Sequence, residues 1–184
     1  SARAGKQLIF KGANQLVLSD TDEATLKKVI KFINRRKENK NVEIYSSDGL
    51  TSEMLREVLN YGFDRGVGAE LTYKLKPYTP SVSNPETRWI AVNMNWHEPK
   101  QLPYQAAHEI MHVLHQDPAC LYFYSASKNS IEGEANIGGI HILVPLYFAG
   151  IDKEDANLNQ FMKAFDIPAS MEDAASEAIK GFYI

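Results

Sequence analysis

Ala106-Ala107-His108-Glu109-Ile110-Met111-His112-Val113-Leu114 sets two histidines four residues apart in an apolar run, with a glutamate beside the first. Ala106, Ala107, Ile110, Val113 and Leu114 give broad apolar cover, Pro103 suits a first helical turn, and Asp117-Pro118 predicts a stop. The pattern predicts a largely buried helix. Residues i and i+4 share a helix face, with Cβ atoms about 5–6 Å apart. His108 and His112 so placed can grip one Zn²⁺, and Glu109 can take a proton from an activated water. A purely structural site has no need of Glu109.

Catalytic zinc usually takes three protein ligands and keeps a fourth position open. The next apolar segment, capped by Asn129-Ser130 and predicted helical from near Ile131 to Pro145, offers Glu132 and Glu134. Glu132 is the preferred ligand, because Asn136 follows it by four residues on the same face. An amide there can hydrogen-bond a ligand histidine and fix its tautomer. Glu134 is the second candidate. His115 lies about 10 Å along the helix axis from His108, too far to share one ion, and reads as a hydrogen-bonded or substrate-side group. An anionic intermediate of peptide hydrolysis also needs a donor. Tyr122, Tyr124, His141 and His97 are candidates, and His141 reads equally well as a core residue.

The bulk numbers fit this reading. A chain of 184 residues, 44% hydrophobic and 23% charged, suits one globular domain, with 1–48 as a possible N-terminal appendage packed on it. A net charge of −3 and a pI near 6.0 give no nucleic-acid footprint. The basic cluster from Lys27 to Lys40 reads as a solvated helix face. The single cysteine, Cys120, reads as a buried thiol; it allows no intrachain disulfide and suits a reducing cytoplasm. No signal-peptide h-region is evident, and Ala135 to Ile151, broken by Asn136, Gly138, Gly139, His141 and Pro145, reads as a buried helix rather than a membrane span.

Along the chain, Leu8–Phe10 and Leu16–Leu18 read as short strands, Asp20 opens a basic helix, and Val42–Tyr45 is another possible strand. After a turn at Asp48-Gly49, Thr51 opens a helix with Met54, Leu55, Val58 and Leu59 inward and Gly62 as its stop. Leu71, Tyr73 and Leu75 alternate with polar residues, as a half-buried strand does. Trp89–Met94 alternates likewise, and its edge is a candidate for pairing with an extended substrate. Between these strands, Pro77, Pro80 and Pro85 predict a long loop of the mobile or functional kind. Two further helices are predicted, Asp152 to Phe165 and Ser170 to about Lys180.

Taken together, Ala107 to His115, then Glu132-Gly133-Glu134-Ala135-Asn136, then Leu143-Val144-Pro145 resemble the ImmA/IrrE family of small zinc metallopeptidases. That family shows HExxH on a helix, then E-x-x-A-N/D, then an apolar stretch ending in Pro. The resemblance covers roughly 89 to 146, and the chain departs from the pattern at Met111 and Gly138-Gly139. It implies an α+β, zincin-like core of the gluzincin type: a small, mostly antiparallel sheet packed on the HExxH helix and a ligand-bearing helix after it. It also implies Glu132 as third ligand. Family members are bacterial or phage-encoded, and several cleave helix-turn-helix repressors to release prophage, mobile-element or stress genes. The resulting expectation is a cytoplasmic zinc endopeptidase acting on such a repressor, with no direct nucleic-acid or membrane partner. The alternative is a non-proteolytic binding protein, of antirepressor or toxin–antitoxin type, with a structural or vestigial zinc site.

Overall fold

The computed structural model describes residues 49–116, 122–123 and 130–184. The appendage expected over 1–48, its strands and basic helix, and Cys120 and Tyr124 lie outside the described residues. What is described is an α+β arrangement of five α-helices and one four-stranded sheet.

Helix α1 (Gly49–Phe63) buries Thr51, Met54, Leu55, Val58 and Leu59 on one stripe. It begins two residues before Thr51 and absorbs Gly49, which the sequence assigns to a turn. Gly62 is not its left-handed stop. That conformation falls at Gly66 (φ 74°), while Gly62 is buried where a Cβ would come within 2.9 Å of Ile110 Cδ1. It is a close-packing glycine that lets α1 lie against the HExxH helix.

The sheet comprises β1 (Gly68–Thr72), β2 (Val82–Asn84), β3 (Trp89–Asn93) and β4 (Tyr122–Phe123), in the order β1-β3-β2-β4. β1 runs parallel to β3, with Gly68 opposite Trp89 and Thr72 opposite Asn93. The other two pairings, β2 with β3 and β2 with β4, are antiparallel. β1 lies earlier than its predicted alternation: Leu75 is beyond it and Tyr73 is 57% exposed.

β2 lies inside the stretch expected to be a loop. Its Ser and Asn are weak strand formers flanked by prolines, so propensity hides it. Asn84 Oδ1 accepts from the backbone N–H groups of Glu86 and Thr87 (3.1 and 3.3 Å) and Arg88 adopts φ 56°, which turns the chain tightly into β3. The residues before β2 arch over the end of β3 and are tied down there. Asn93 Nδ2 donates to the Lys76 and Thr79 carbonyls (2.8 and 2.6 Å), and Asn95 Nδ2 donates to Leu75 O (3.0 Å).

β3 is interior, with β1 on one side and β2 on the other, and all five of its residues are buried. The expectation that its edge pairs with a substrate is therefore wrong: both edges already carry neighbouring strands.

Helix α2 (Leu102–Leu114) carries the HExxH residues, has Pro103 in its first turn, and buries all but Met111 and Leu114. It ends before Asp117, with Gln116 at φ 54°. Helix α3 (Ser130–Tyr147) packs along it and continues two residues past Pro145. The helix expected over Asp152 to Phe165 is split. A 3₁₀ turn (Lys153–Asp155) comes first; then Asn157, its side chain accepting from Gln160 N at 2.9 Å, starts the short helix α4 (Leu158–Ala164). Helix α5 (Glu172–Phe182) follows and braces α3. Phe148, Phe161 and Phe165 close that end of the core, fully buried and meeting at ring separations of 5.4–5.5 Å where they touch. Among the described residues no helix is long and apolar enough to cross a membrane.

Candidate metal centre

α2 runs through the middle of the core, between the sheet on one side and α1 and α3 on the other, so both its metal-facing and apolar faces are covered. His108 and His112, one turn apart, present their rings nearly perpendicular (80°) with centroids 4.7 Å apart. Their Nε2 atoms converge to 3.0 Å. From α3, Glu132 completes the group: its Oε2 lies 3.3 Å from His108 Nε2 and its Oε1 3.3 Å from His112 Nε2. Glu134, two residues on, points elsewhere, to an open surface groove.

These three donors, all buried, could hold a metal ion. The fit can be tested by simple geometry. Zn–N and Zn–O bonds of 2.0–2.1 Å in a tetrahedron separate the ligand atoms by about 3.3 Å. The two imidazole Nε2 atoms stand 3.0 Å apart, and each lies 3.3 Å from a different Glu132 oxygen, spacings close to the edge of that tetrahedron. Two imidazoles with one carboxylate also suit zinc better than a hard, all-oxygen cation such as Ca²⁺ or Mg²⁺.

Asn136 orients one ligand. Its Oδ1 lies 2.9 Å from His108 Nδ1, so the ring donates there and turns the Nε2 lone pair toward the group. Burial holds His108 below its ordinary pKa of 6.5, which keeps the imidazole neutral. Burial would raise Glu132, but its contacts with His108 and His112 outweigh it and hold the carboxyl at about 2. A neutral His108 beside an ionised Glu132 is the form that binds metal.

Glu109 is fully buried, and both its carboxylate oxygens are without a hydrogen-bond partner among the described residues. Burial pushes its pKa well above the usual carboxylate value. The nearby Ser83 hydroxyl tempers that shift from outside hydrogen-bond geometry, and the Glu132 charge adds to it. Ser83, on β2, is a polar neighbour that sequence reasoning missed, because its strand was hidden.

α3 can approach α2 this closely because of Gly139. A Cβ there would stand 3.2 Å from the His108 backbone nitrogen.

The other predicted site residues fall elsewhere. His141 is exposed, nine residues past Glu132 and so on the opposite face of α3. With Glu134, His115 and Met111 it lines an open groove of about 420 Å³, which corrects its expected place beside the reacting group. His97 is also exposed; it stacks on Tyr78 (4.5 Å) and meets Pro77 O through Nδ1 at 3.0 Å. Tyr122 lies on β4 at the described edge of the sheet, opposite Ser83.

Comparison with protein-family models, with curated proteins and with solved structures finds no match for this chain.

Proposed function

We propose that the chain is a zinc-dependent endopeptidase with a zincin-like core of the ImmA/IrrE type. It acts in the cytoplasm on a helix-turn-helix repressor or similar regulatory protein and so derepresses prophage, mobile-element or stress genes. The observation that carries the metal reading is the donor triangle of His108, His112 and Glu132, with Glu109 buried beside it. The choice of substrate rests on the sequence resemblance alone.

Zn²⁺ in that triangle would supply Lewis acidity toward a scissile carbonyl and lower the pKa of a water. The chain's own residues do the rest. Asn136 holds His108 in the tautomer that faces the group. Glu109 takes the proton of the attacking water and returns it to the departing amine. A carboxyl whose pKa is raised by burial suits that double role, since it must gain and lose a proton in each turnover.

The test is a gel of a helix-turn-helix repressor encoded beside this chain's gene, incubated with the protein with and without chelator. Fragments should form with the metal-loaded wild type only. Glu109→Gln should lower their rate at least about 10²-fold while zinc content stays unchanged. Undiminished cleavage by that variant would overturn the role of Glu109.

One observation favours the second reading, a partner-binding protein with a structural ion. His108, Glu109 and His112 are all 0% exposed, as the ligands of a structural ion commonly are. A shifted complex without fragments in the same gel would support that reading.

A further inference from the structure

We infer that Tyr104 is a positioning residue for the metal centre, acting through Asn136 on His108. The inference rests on the His108–His112–Glu132 metal reading and adds a residue to it.

Tyr104 stands one turn before His108 on α2, on the same face. Helical side chains lean toward the N-terminus, so the His108 ring lies back over the turn that carries Tyr104. Both reach the same amide on the neighbouring helix. Asn136 Oδ1 is 2.9 Å from His108 Nδ1 and 3.2 Å from the Tyr104 hydroxyl. A carbonyl oxygen has two lone pairs, and here two donors meet them. The hydroxyl has one proton to donate, and of its two acceptors on Asn136 the side-chain Oδ1 is nearer than the backbone carbonyl at 3.4 Å.

The phenol itself has little freedom. Tyr104 is 0% exposed, and its ring edge lies beside Gly139, where a Cβ would come within 3.3 Å of Cε2. A phenylalanine would fill this space equally well. The hydroxyl's contribution is to hold the Asn136 amide with its oxygen toward His108. A rotated amide would place its NH₂ against Nδ1 and favour the imidazole tautomer with a proton on Nε2, which cannot bind metal.

The test is zinc affinity, measured on the purified chain by competition with a chromophoric chelator, for wild type, Tyr104→Phe, Asn136→Ala and the double variant. Loss of a direct partner of a ligand histidine typically costs about 10- to 100-fold in affinity. Tyr104→Phe, one group further out, should cost about 3- to 10-fold. In the Asn136→Ala background it should cost nothing more, because the connection is already cut. A merely structural tyrosine would weaken both backgrounds alike. Wild-type affinity in Tyr104→Phe, or an equal loss in both backgrounds, would overturn the inference. Failure of the wild type itself to take up zinc would overturn the metal reading and this inference with it.

Discussion

Glu109 gives the metal-free chain a pH response of its own. Its pKa in the folded protein is raised well above 4.5 by burial, so over the interval between the unfolded and folded values the native state holds more protons. Stability then falls as pH rises through that interval. Glu132 works in the opposite sense: its folded pKa is depressed to about 2, so its contribution is present above the unfolded value and is lost as pH falls through about 2. In chelator, the melting temperature of Glu109→Gln should gain on that of wild type as pH rises above the ordinary carboxylate range, because the variant has no buried carboxyl to ionise; the opposing contribution of His108, whose folded pKa is lowered, is common to both chains. Calorimetry across the range checks it, and a variant as pH-dependent as wild type would contradict it. At this scale the site was legible to an unusual degree. His108, Glu109 and His112 declare themselves by spacing, and Glu132 by the amide one turn later. Ser83 and Tyr104 were not legible. A serine in a proline-flanked stretch and an aromatic in an apolar run carry no signal until the fold brings them to Glu109 and Asn136.

The α2–α3 pair is the element on which the centre depends, and two adjacent glycines make opposite predictions for it. The three nearest atoms to a Cβ at Gly138 all belong to the Met111 side chain, Cγ and Cε at 2.7 Å and Sδ at 3.1 Å, and that half-buried, adaptable side chain can take another rotamer to make room. Gly138→Ala should therefore be tolerated, or stabilise by up to about 1 kcal/mol through helix propensity. A Cβ at Gly139 would stand 3.2 Å from the His108 backbone nitrogen, which gives way only if one helix shifts against the other. Overpacking costs about 1–3 kcal/mol, more than the propensity gain, so Gly139→Ala should destabilise by about 1 kcal/mol and weaken zinc binding as α3 is pushed off. Thermal unfolding of both variants, with and without zinc, compares them, and equal behaviour would contradict the packing argument. Sequence periodicity identified α1, α2, α3 and α5 because each carries a clear apolar stripe or cap. It missed the break at Ala156-Asn157, where a local side-chain cap restarts the helix, and it read Gly62 as a stop when the residue is a contact.

At the scale of the molecule, the sheet was the least legible part. β3 reads as an alternating, half-exposed strand, yet all five of its residues are buried; it is interior in the sheet and α2 packs against it. β2 reads as loop, yet without it neither Ser83 nor the β4 pairing would be in place. Strand order is a long-range property, and local alternation does not encode it. Among the described residues β3 has a strand on both sides, so it offers no edge to a further strand.

The central claim is that this fold assembles a single metal centre from His108, His112 and Glu132. Metal content per chain, measured by elemental analysis after zinc loading and removal of excess, tests it most directly. The account predicts one zinc per wild-type chain, and none in a His108→Ala/His112→Ala variant that remains folded. A metal-free wild type, or zinc retained undiminished in the double variant, would contradict it.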